Sequence, residues 1–311
     1  VFHFNLFNSF NLFNDSMDVS VIIVTYNSAS SIDACLKSVY SQEGVQKEVL
    51  VIDNASTDET ITVVRNSQLN PALIENRENV GFGRACNQGS AVSKGSFIYF
   101  LNPDAELVGP SALARLCEAL SRNKKWGMAG SRVESASGEW KPPATMYPDE
   151  SHVRKDFSGL PGQIAWIVGA SMIIRREVYA ELGGFDPEFF LYSEETDFCL
   201  RLRQRGYKIG MVEEASVRHI GGVSERGRDP YEVWLRRSEG LHLFWQKHYP
   251  PEDVERLLRR NRFRARYRML ANGWLARFQS HKSSAWQKHR RYQAVWESSS
   301  KLLRSSQFSR K

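Results

Sequence analysis

Three apolar runs in the first third of the chain each stop abruptly at small polar residues, and this pattern narrows the fold more than any other feature. Asp18 to Tyr26 (VSVIIVTY after the Asp) ends in Thr25-Tyr26-Asn27, Val49 to Asp53 ends in Asp53-Asn54, and Phe97 to Leu101 runs into Asn102-Pro103-Asp104. Runs this apolar are strands buried on both faces. Helical periodicity separates them. Ser31 to Gln42 puts Ile32, Cys35, Leu36 and Val39 on one face, with Asn27 and serines 28, 30 and 31 offering turn and capping chemistry; Thr60 to Asn66 and Arg84 to Ser93 also read as helices. Leu73 to Glu75 is a short strand and Gly81-Phe82-Gly83 a flexible loop. Strands alternating with helices at this spacing predict a mostly parallel, doubly wound α/β sheet. Ligands of such sheets bind beyond the carboxyl ends of the strands, where the three polar termini would gather.

The rest of the chain extends the pattern and then changes it. Pro110 to Asn123 reads as helix, Met128 to Val133 as strand, and 134–162, rich in Ser, Gly and Pro, as a long loop. Ile164 to Ile174 is strand-like, Arg176 to Leu182 helical, and Glu194 to Arg205 a helix closed by Gly206. From Pro230 onward the pattern is helical and basic, with five of the eight tryptophans (Trp234, Trp245, Trp274, Trp286, Trp296). Residues 226–311 hold 21 Lys and Arg against 7 Asp and Glu, whereas 1–225 hold 21 against 28. An acidic body and a basic, surface-binding C-terminal region follow from this asymmetry. Cys35, Cys86, Cys117 and Cys199 form no CxxC pair, which excludes the usual zinc patterns and a dense disulfide framework and points to a reducing compartment. The longest apolar runs are about a dozen residues, short of the roughly 20 that span a bilayer. Residues 1–16 are rich in Phe and Asn and lack the basic start of a signal peptide; they read as a disordered or non-native extension ahead of a start at Met17, or as a short membrane-touching arm.

The sequences VSVIIVTYNS, VLVIDNASTD, ENVGFGRACNQG and IYFLNPDAEL, in that order, resemble the nucleotide-binding half of family 2 glycosyltransferases. VGASMIIRREVYAELGGFDPEFFLYSEETDFCLRLRQRGYKIG resembles the acceptor half, and the closest subgroup is rhamnosyltransferase-like and galactofuranosyltransferase-like. The resemblance covers about 18–225. It implies a GT-A fold, a domain spanning 17–225 with 226–311 as a basic helical extension, and an inverting, metal-assisted transfer from a dTDP- or UDP-linked sugar.

Each motif has a chemical reading beside a plainer one. Asp53, at a strand end, can accept the imide N–H of uracil or thymine, or cap the next helix with Ser56 and Asp58. Thr25, Tyr26 and Asn27 would line the same pocket, or simply turn the chain. Asn79, Gly81 and Arg84 form a loop entering a helix, where backbone N–H groups and a guanidinium suit an anion; a solvated surface loop fits equally. Asn102-Pro103-Asp104 stands where the family places Asp-x-Asp, so Asp104 becomes the main ligand for Mg²⁺ or Mn²⁺ and Asn102 a neutral, weaker neighbour. His219, in VRHIGG, matches a metal ligand of the subgroup and would otherwise be a structural histidine. Glu194, Glu195 and Asp197 (SEETDF) stand for the family's Glu-Asp-x-Asp. Glu195 is the expected base, Glu194 the runner-up, and Asp197 an orienting or acceptor-binding residue; an acidic first helical turn is the plainer account. Trp166 can stack on an acceptor sugar or isoprenoid, or sit in the core.

The expectation is therefore a transferase that moves L-rhamnose from dTDP-rhamnose, or a hexose from a UDP-sugar, onto a glycan or polyprenyl-diphosphate-linked acceptor in cell-surface polysaccharide synthesis. It would work in the cytoplasm, peripherally on the inner face of the plasma membrane through the basic C-terminal region. A nucleotidyltransferase would carry a basic Gly-rich signature after the first strand, which VTYNSASS lacks. A nucleic-acid-binding protein would leave the acidic clusters near 104 and 195 without a purpose. A sugar-nucleotide-binding protein without turnover remains a further alternative, given Asn102 and Glu195.

Overall fold

The computed structural model describes residues 18–221, 228–276 and 283–305. The readings of residues 1–16 and of Met17 lie outside these, as does the side chain of Trp274.

Eight strands form one sheet: β1 (Val19–Thr25), β2 (Lys47–Asp53), β3 (Ala72–Glu75), β4 (Phe97–Leu101), β5 (Ala105–Leu107), β6 (Trp126–Ser135), β7 (Ser171–Arg175) and β8 (Lys208–His219). Their order is β3-β2-β1-β4-β7-β6-β8-β5. The first four are parallel, in a register that sets Thr25 beside Asp53 and Ile23 beside Leu101. Their polar ends therefore share one edge. β7 runs antiparallel to β4, with Ser171 beside Leu101, so the segment just before it reaches the same edge from the other direction. β8 lies parallel to β6, and β5 folds back antiparallel on β8 with Ala105 beside His219.

Both faces are covered because alternate residues of each central strand point opposite ways. Val19, Val21 and Ile23 meet α1 (Ile32–Tyr40), α2 (Thr60–Arg65) and α4 (Ala112–Arg122) through Ile32, Leu36, Val64, Leu113, Leu116 and Leu120. Ile22 and Phe100 meet α3 (Phe82–Val92), α5 (Arg176–Glu181) and α6 (Glu194–Gln204) through Ala85, Tyr179, Phe198 and Leu202. A third core lies under α7 (Pro230–His248) and α8 (Pro251–Ala276): Phe244, Trp245, Leu257 and Leu258 close on Tyr147, Phe157, Phe189 and Leu200. α9 (Ser284–Leu303) packs along α7 and α8. The long loop is anchored here as well. The buried Arg203 donates to the carbonyls of Leu160, Pro161 and Gly162 and to the Tyr147 hydroxyl.

Three elements differ from the sequence reading. The strand expected from Ile164 begins only at Ser171; Ala165 and Ile167 are apolar because they are buried, while Ala144 and Trp166 form only an isolated bridge. β5 and β8 were not foreseen. β5 is three residues long, and β8 slips register opposite Ser131 and Arg132, which leaves Glu213 and Glu214 exposed and breaks the alternation. All four cysteines are buried and free. Among the described residues no helix is long and apolar enough to cross a membrane.

Candidate active site

The carboxyl edge of the sheet opens into a cleft of about 350 Å³ lined by Thr25, Tyr26, Asn79, Gly81, Asn102, Asp104, Glu194, Glu195 and His219. Residues read from separate motifs are thus brought to one wall. Asn27, Asp53, Arg84, Trp166 and Asp197 do not line it.

Below the cleft, Asp53 is buried and accepts from the Thr25 hydroxyl at 2.8 Å, the Ser56 hydroxyl at 2.6 Å and the Ser56 backbone N–H at 2.8 Å. Asn27, at φ 52°, accepts from Thr57 N–H at 2.8 Å while its own N–H donates to Ser56. These side chains brace the loops that shape the pocket floor. Arg84 turns outward and donates to the Pro187 carbonyl at 2.8 Å.

The Asn79 loop is set by Gly81. Its φ of 90° suits glycine, and a Cβ there would lie 2.4 Å from the Phe190 carbonyl oxygen. The Asn79 side chain accepts from Gly81 N–H at 3.0 Å, and Phe82 N–H donates to Phe190 at 2.9 Å. Segment 190–192 is gripped from the other side by Gly240 of α7, where a Cβ would lie 2.4 Å from the Tyr192 carbonyl oxygen. Between these clamps Tyr192 and Ser193 hold φ of 71° and 69°, a costly pair for residues with side chains. That turn starts α6 and aims its first residues at the cleft.

Glu194 is 5% exposed, and its Oε2 has no hydrogen-bond partner among the described residues. Burial, and then the charge of Glu195, push its carboxyl well above the usual range. Glu195 packs on Gly169 and is also raised by burial, an effect that backbone N–H groups at the helix start offset only in part. Two adjacent carboxyls with unequal affinity for a proton therefore face one cavity. Asp197, one turn along, is 1% exposed and fully engaged: Arg201 Nε lies 2.7 Å from one oxygen and His248 Nε2 2.7 Å from the other. It ties α6 to α7 and lies away from the cleft. Trp166 donates from its indole nitrogen to the Met146 carbonyl at 3.1 Å and packs between the second and third cores.

The β5–β8 pairing brings Asp104 Oδ1 to 3.1 Å from His219 Nε2, with Asn102 Nδ2 3.4 Å from the same nitrogen. Two adjacent ligands of an octahedral Mg²⁺ or Mn²⁺, with bonds of about 2.1 Å, stand roughly 3 Å apart, so the oxygen and nitrogen fit such an ion. No cluster of three or more His, Cys, Asp or Glu suited to a metal occurs among the described residues. Water and substrate oxygens would have to complete the shell.

The roof comes from the C-terminal region and was not foreseen. Arg228, Glu232, Arg236 and Arg237 line the cleft. The guanidinium of Arg228 lies 5.1 Å from the Tyr26 ring, Arg236 5.5 Å from Phe190 and Arg237 4.9 Å from Tyr192. In the sequence these arginines merge with the basic C-terminal run; only the packing of α7 over α6 separates them from it.

Comparison with known proteins bears directly on this arrangement. The chain matches the family model described as Glycosyl transferase family 2 over residues 20–183, and that of Glycosyl transferase family group 2 over 104–297. It is 27% identical over 257 residues to N-acetylglucosaminyl-diphospho-decaprenol L-rhamnosyltransferase of Mycobacterium tuberculosis, covering 72% of this chain and 82% of that one. It is 26% identical to the O-antigen chain rhamnosyltransferase RfbN of Salmonella typhimurium, covering 68% of each chain. The mannosyltransferase PcManGT of Pyrobaculum calidifontis, solved with GDP-Man and Mn²⁺, shares the fold at TM-score 0.55 and 18% identity, over 95% of this chain and 76% of that one. S. aureus TarS does so at TM-score 0.53 and 20% identity over 72% of this chain, which spans only 39% of that longer protein. The GT-A-like sheet and a family match covering more than half of its residues make this chain a member of glycosyl transferase family 2, a glycosyltransferase.

Proposed function

We propose that the chain is an inverting transferase that takes L-rhamnose from dTDP-rhamnose, or a hexose from a UDP-sugar, and attaches it to a glycan or polyprenyl-diphosphate-linked acceptor of cell-surface polysaccharide synthesis. The observation that carries this reading is the opening of two unlike pairs into one cleft: Asp104 with His219, and Glu194 with Glu195. The names of the rhamnosyltransferase relatives support the sugar and the lipid-linked acceptor.

In this reading Asp104 and His219 would hold Mg²⁺ or Mn²⁺, which would supply positive charge beside the nucleoside diphosphate leaving group. The Gly81 loop, Thr25 and Tyr26 shape the nucleotide end. Arg228, Arg236 and Arg237 give the roof a positive field over the anionic donor. Glu194, the more deeply buried acid, keeps its proton. Glu195 is the base: it takes the proton of the acceptor hydroxyl as that oxygen bonds to the anomeric carbon and the bond to diphosphate breaks from the opposite face. Asp197 positions α6 through Arg201 and His248. The catalytic body is residues 17–225, and the basic helical region 226–311 contributes Arg228, Glu232, Arg236 and Arg237 to the cleft. Its seat is peripheral, on the inner face of the plasma membrane, where a lipid-linked acceptor is met.

Nucleotide release from a panel of dTDP-, UDP- and GDP-sugars, with Mg²⁺ or Mn²⁺ and a polyprenyl-diphosphate acceptor, tests this. Metal-dependent, acceptor-dependent release from one donor, lost in Asp104→Ala and Glu195→Gln, is the expected result. Donor binding with no turnover under any pairing would leave a sugar-nucleotide-binding protein. No binding of any sugar nucleotide by folded protein would sink the reading.

A further inference from the structure

α8 carries two opposite faces. Val254, Leu257, Leu258 and Ala265 are buried toward the rest of the protein. On the far side Phe263, Tyr267 and Leu270 are 77%, 73% and 61% exposed. At roughly 100° per residue these three fall within an arc of about 60°, opposite the buried side. Arg259, Arg262 and Arg266 flank one edge of that arc, and Arg260 and Arg264 the other. From Arg256 to Ala276 the helix holds seven arginines and no carboxylate. Arg262, Arg264 and Arg266 make no ion pair among the described residues.

We propose that this outer face of α8 docks on an anionic bilayer, with Phe263, Tyr267 and Leu270 entering the headgroup region and the flanking arginines resting on lipid phosphates. A narrow apolar stripe edged by cations is the pattern that lies flat in a membrane interface. Charge excludes the simplest protein occupant: a second copy meeting the same face across a twofold axis would set arginines against arginines. Leu270 extends the stripe with an aliphatic group, which suits acyl chains. The inference deepens the peripheral seat proposed above and rests on that reading for its location, while remaining independent of the transfer chemistry.

The test is flotation of the full chain with vesicles of phosphatidylcholine, with and without phosphatidylglycerol. Binding should require phosphatidylglycerol, fall with added salt, and drop at least tenfold both in Phe263→Ser/Tyr267→Ser/Leu270→Ser and in Arg262→Glu/Arg266→Glu. Sugar-nucleotide binding by the same variants, measured in solution, should be unchanged. That separates failure of this inference from failure of the transferase reading and reports that the variants are folded. Binding that ignores either set of substitutions, or no binding to anionic vesicles, would overturn the proposal. So would self-association or nucleic acid binding that accounts for the stripe while vesicles are ignored.

Discussion

Glu194 and Glu195 are neighbours in unequal surroundings: three backbone N–H groups at the helix start work against the burial of Glu195, only one does so for Glu194, and Oε2 of Glu194 has no hydrogen-bond partner among the described residues. Glu195→Gln should lower turnover about 10²–10⁴-fold with donor affinity retained, read by steady-state kinetics and calorimetry. Glu194→Gln should act differently. Its raised carboxyl favours the protonated form in the fold, so its stabilising contribution is present below the unfolded glutamate value, about 4.3, and is lost as pH rises through the higher folded value. Gln cannot ionise, so Glu194→Gln should melt higher than the parent at neutral pH and converge with it in acid; a lower melting temperature at pH 7 would refute the assignment. The acidic pair was legible in sequence because two carboxyls at a helix start, after a glycine pair and Phe-Asp, form a specific pattern. Asp53, Asn27 and Asp197 show the limit of such reading. A carboxylate or amide at a strand end or first helical turn looks the same whether it faces a ligand or closes a loop onto its own backbone. What the structure adds is their partners within the chain: Ser56 for Asp53, Thr57 for Asn27 and His248 for Asp197.

At the scale of elements, the strands and helices before residue 124, β5 excepted, were readable from apolar runs such as β1 and β4 and from the periodic apolar faces of α1 and α4. β5 is too short to show a period, and β8 breaks its own with a bulge. Gly240 illustrates a helix position governed by a neighbour. Replacing a mid-helix glycine with alanine ordinarily gains about 1 kcal/mol. Here the new methyl would meet the Tyr192 carbonyl oxygen at 2.4 Å, so Gly240→Ala should lower both stability and turnover, the latter at least tenfold, by displacing the turn that aims Glu195. The α7–α9 contact has its own pH dependence. Among the described residues His242 has one hydrogen-bond partner, Ser298 at 3.0 Å, and burial pushes its imidazole down to about 4. The unfolded chain takes up this proton near pH 6.5 and the folded one only near pH 4. Stability should therefore fall across that window by roughly 3 kcal/mol, and His242→Gln should flatten this part of the profile in denaturant titrations.

For the whole molecule, the C-terminal helices bury Tyr147, Phe157 and Phe189 and furnish the roof of the cleft. The composition shift near residue 226 marked a change of surface character, yet it carried no sign that α7 bends back over α6. The charge run concealed two separate populations of arginine, one turned into the cleft and one turned outward on α8.

The order of strands has a consequence for how the protein is made. β5 pairs with β8 alone, and Asp104 stands 115 residues before His219. During synthesis the floor of the cleft emerges early, but the Asp104–His219 pair exists only once the last strand has left the ribosome and slotted between β6 and β5. His219→Ala in the full chain should accordingly lose the metal-dependent gain in sugar-nucleotide affinity by calorimetry, while donor binding without metal is retained. On the proposed reading, the nascent chain passes most of its synthesis without the pair that would hold the metal, and acquires it in the same step that completes the sheet.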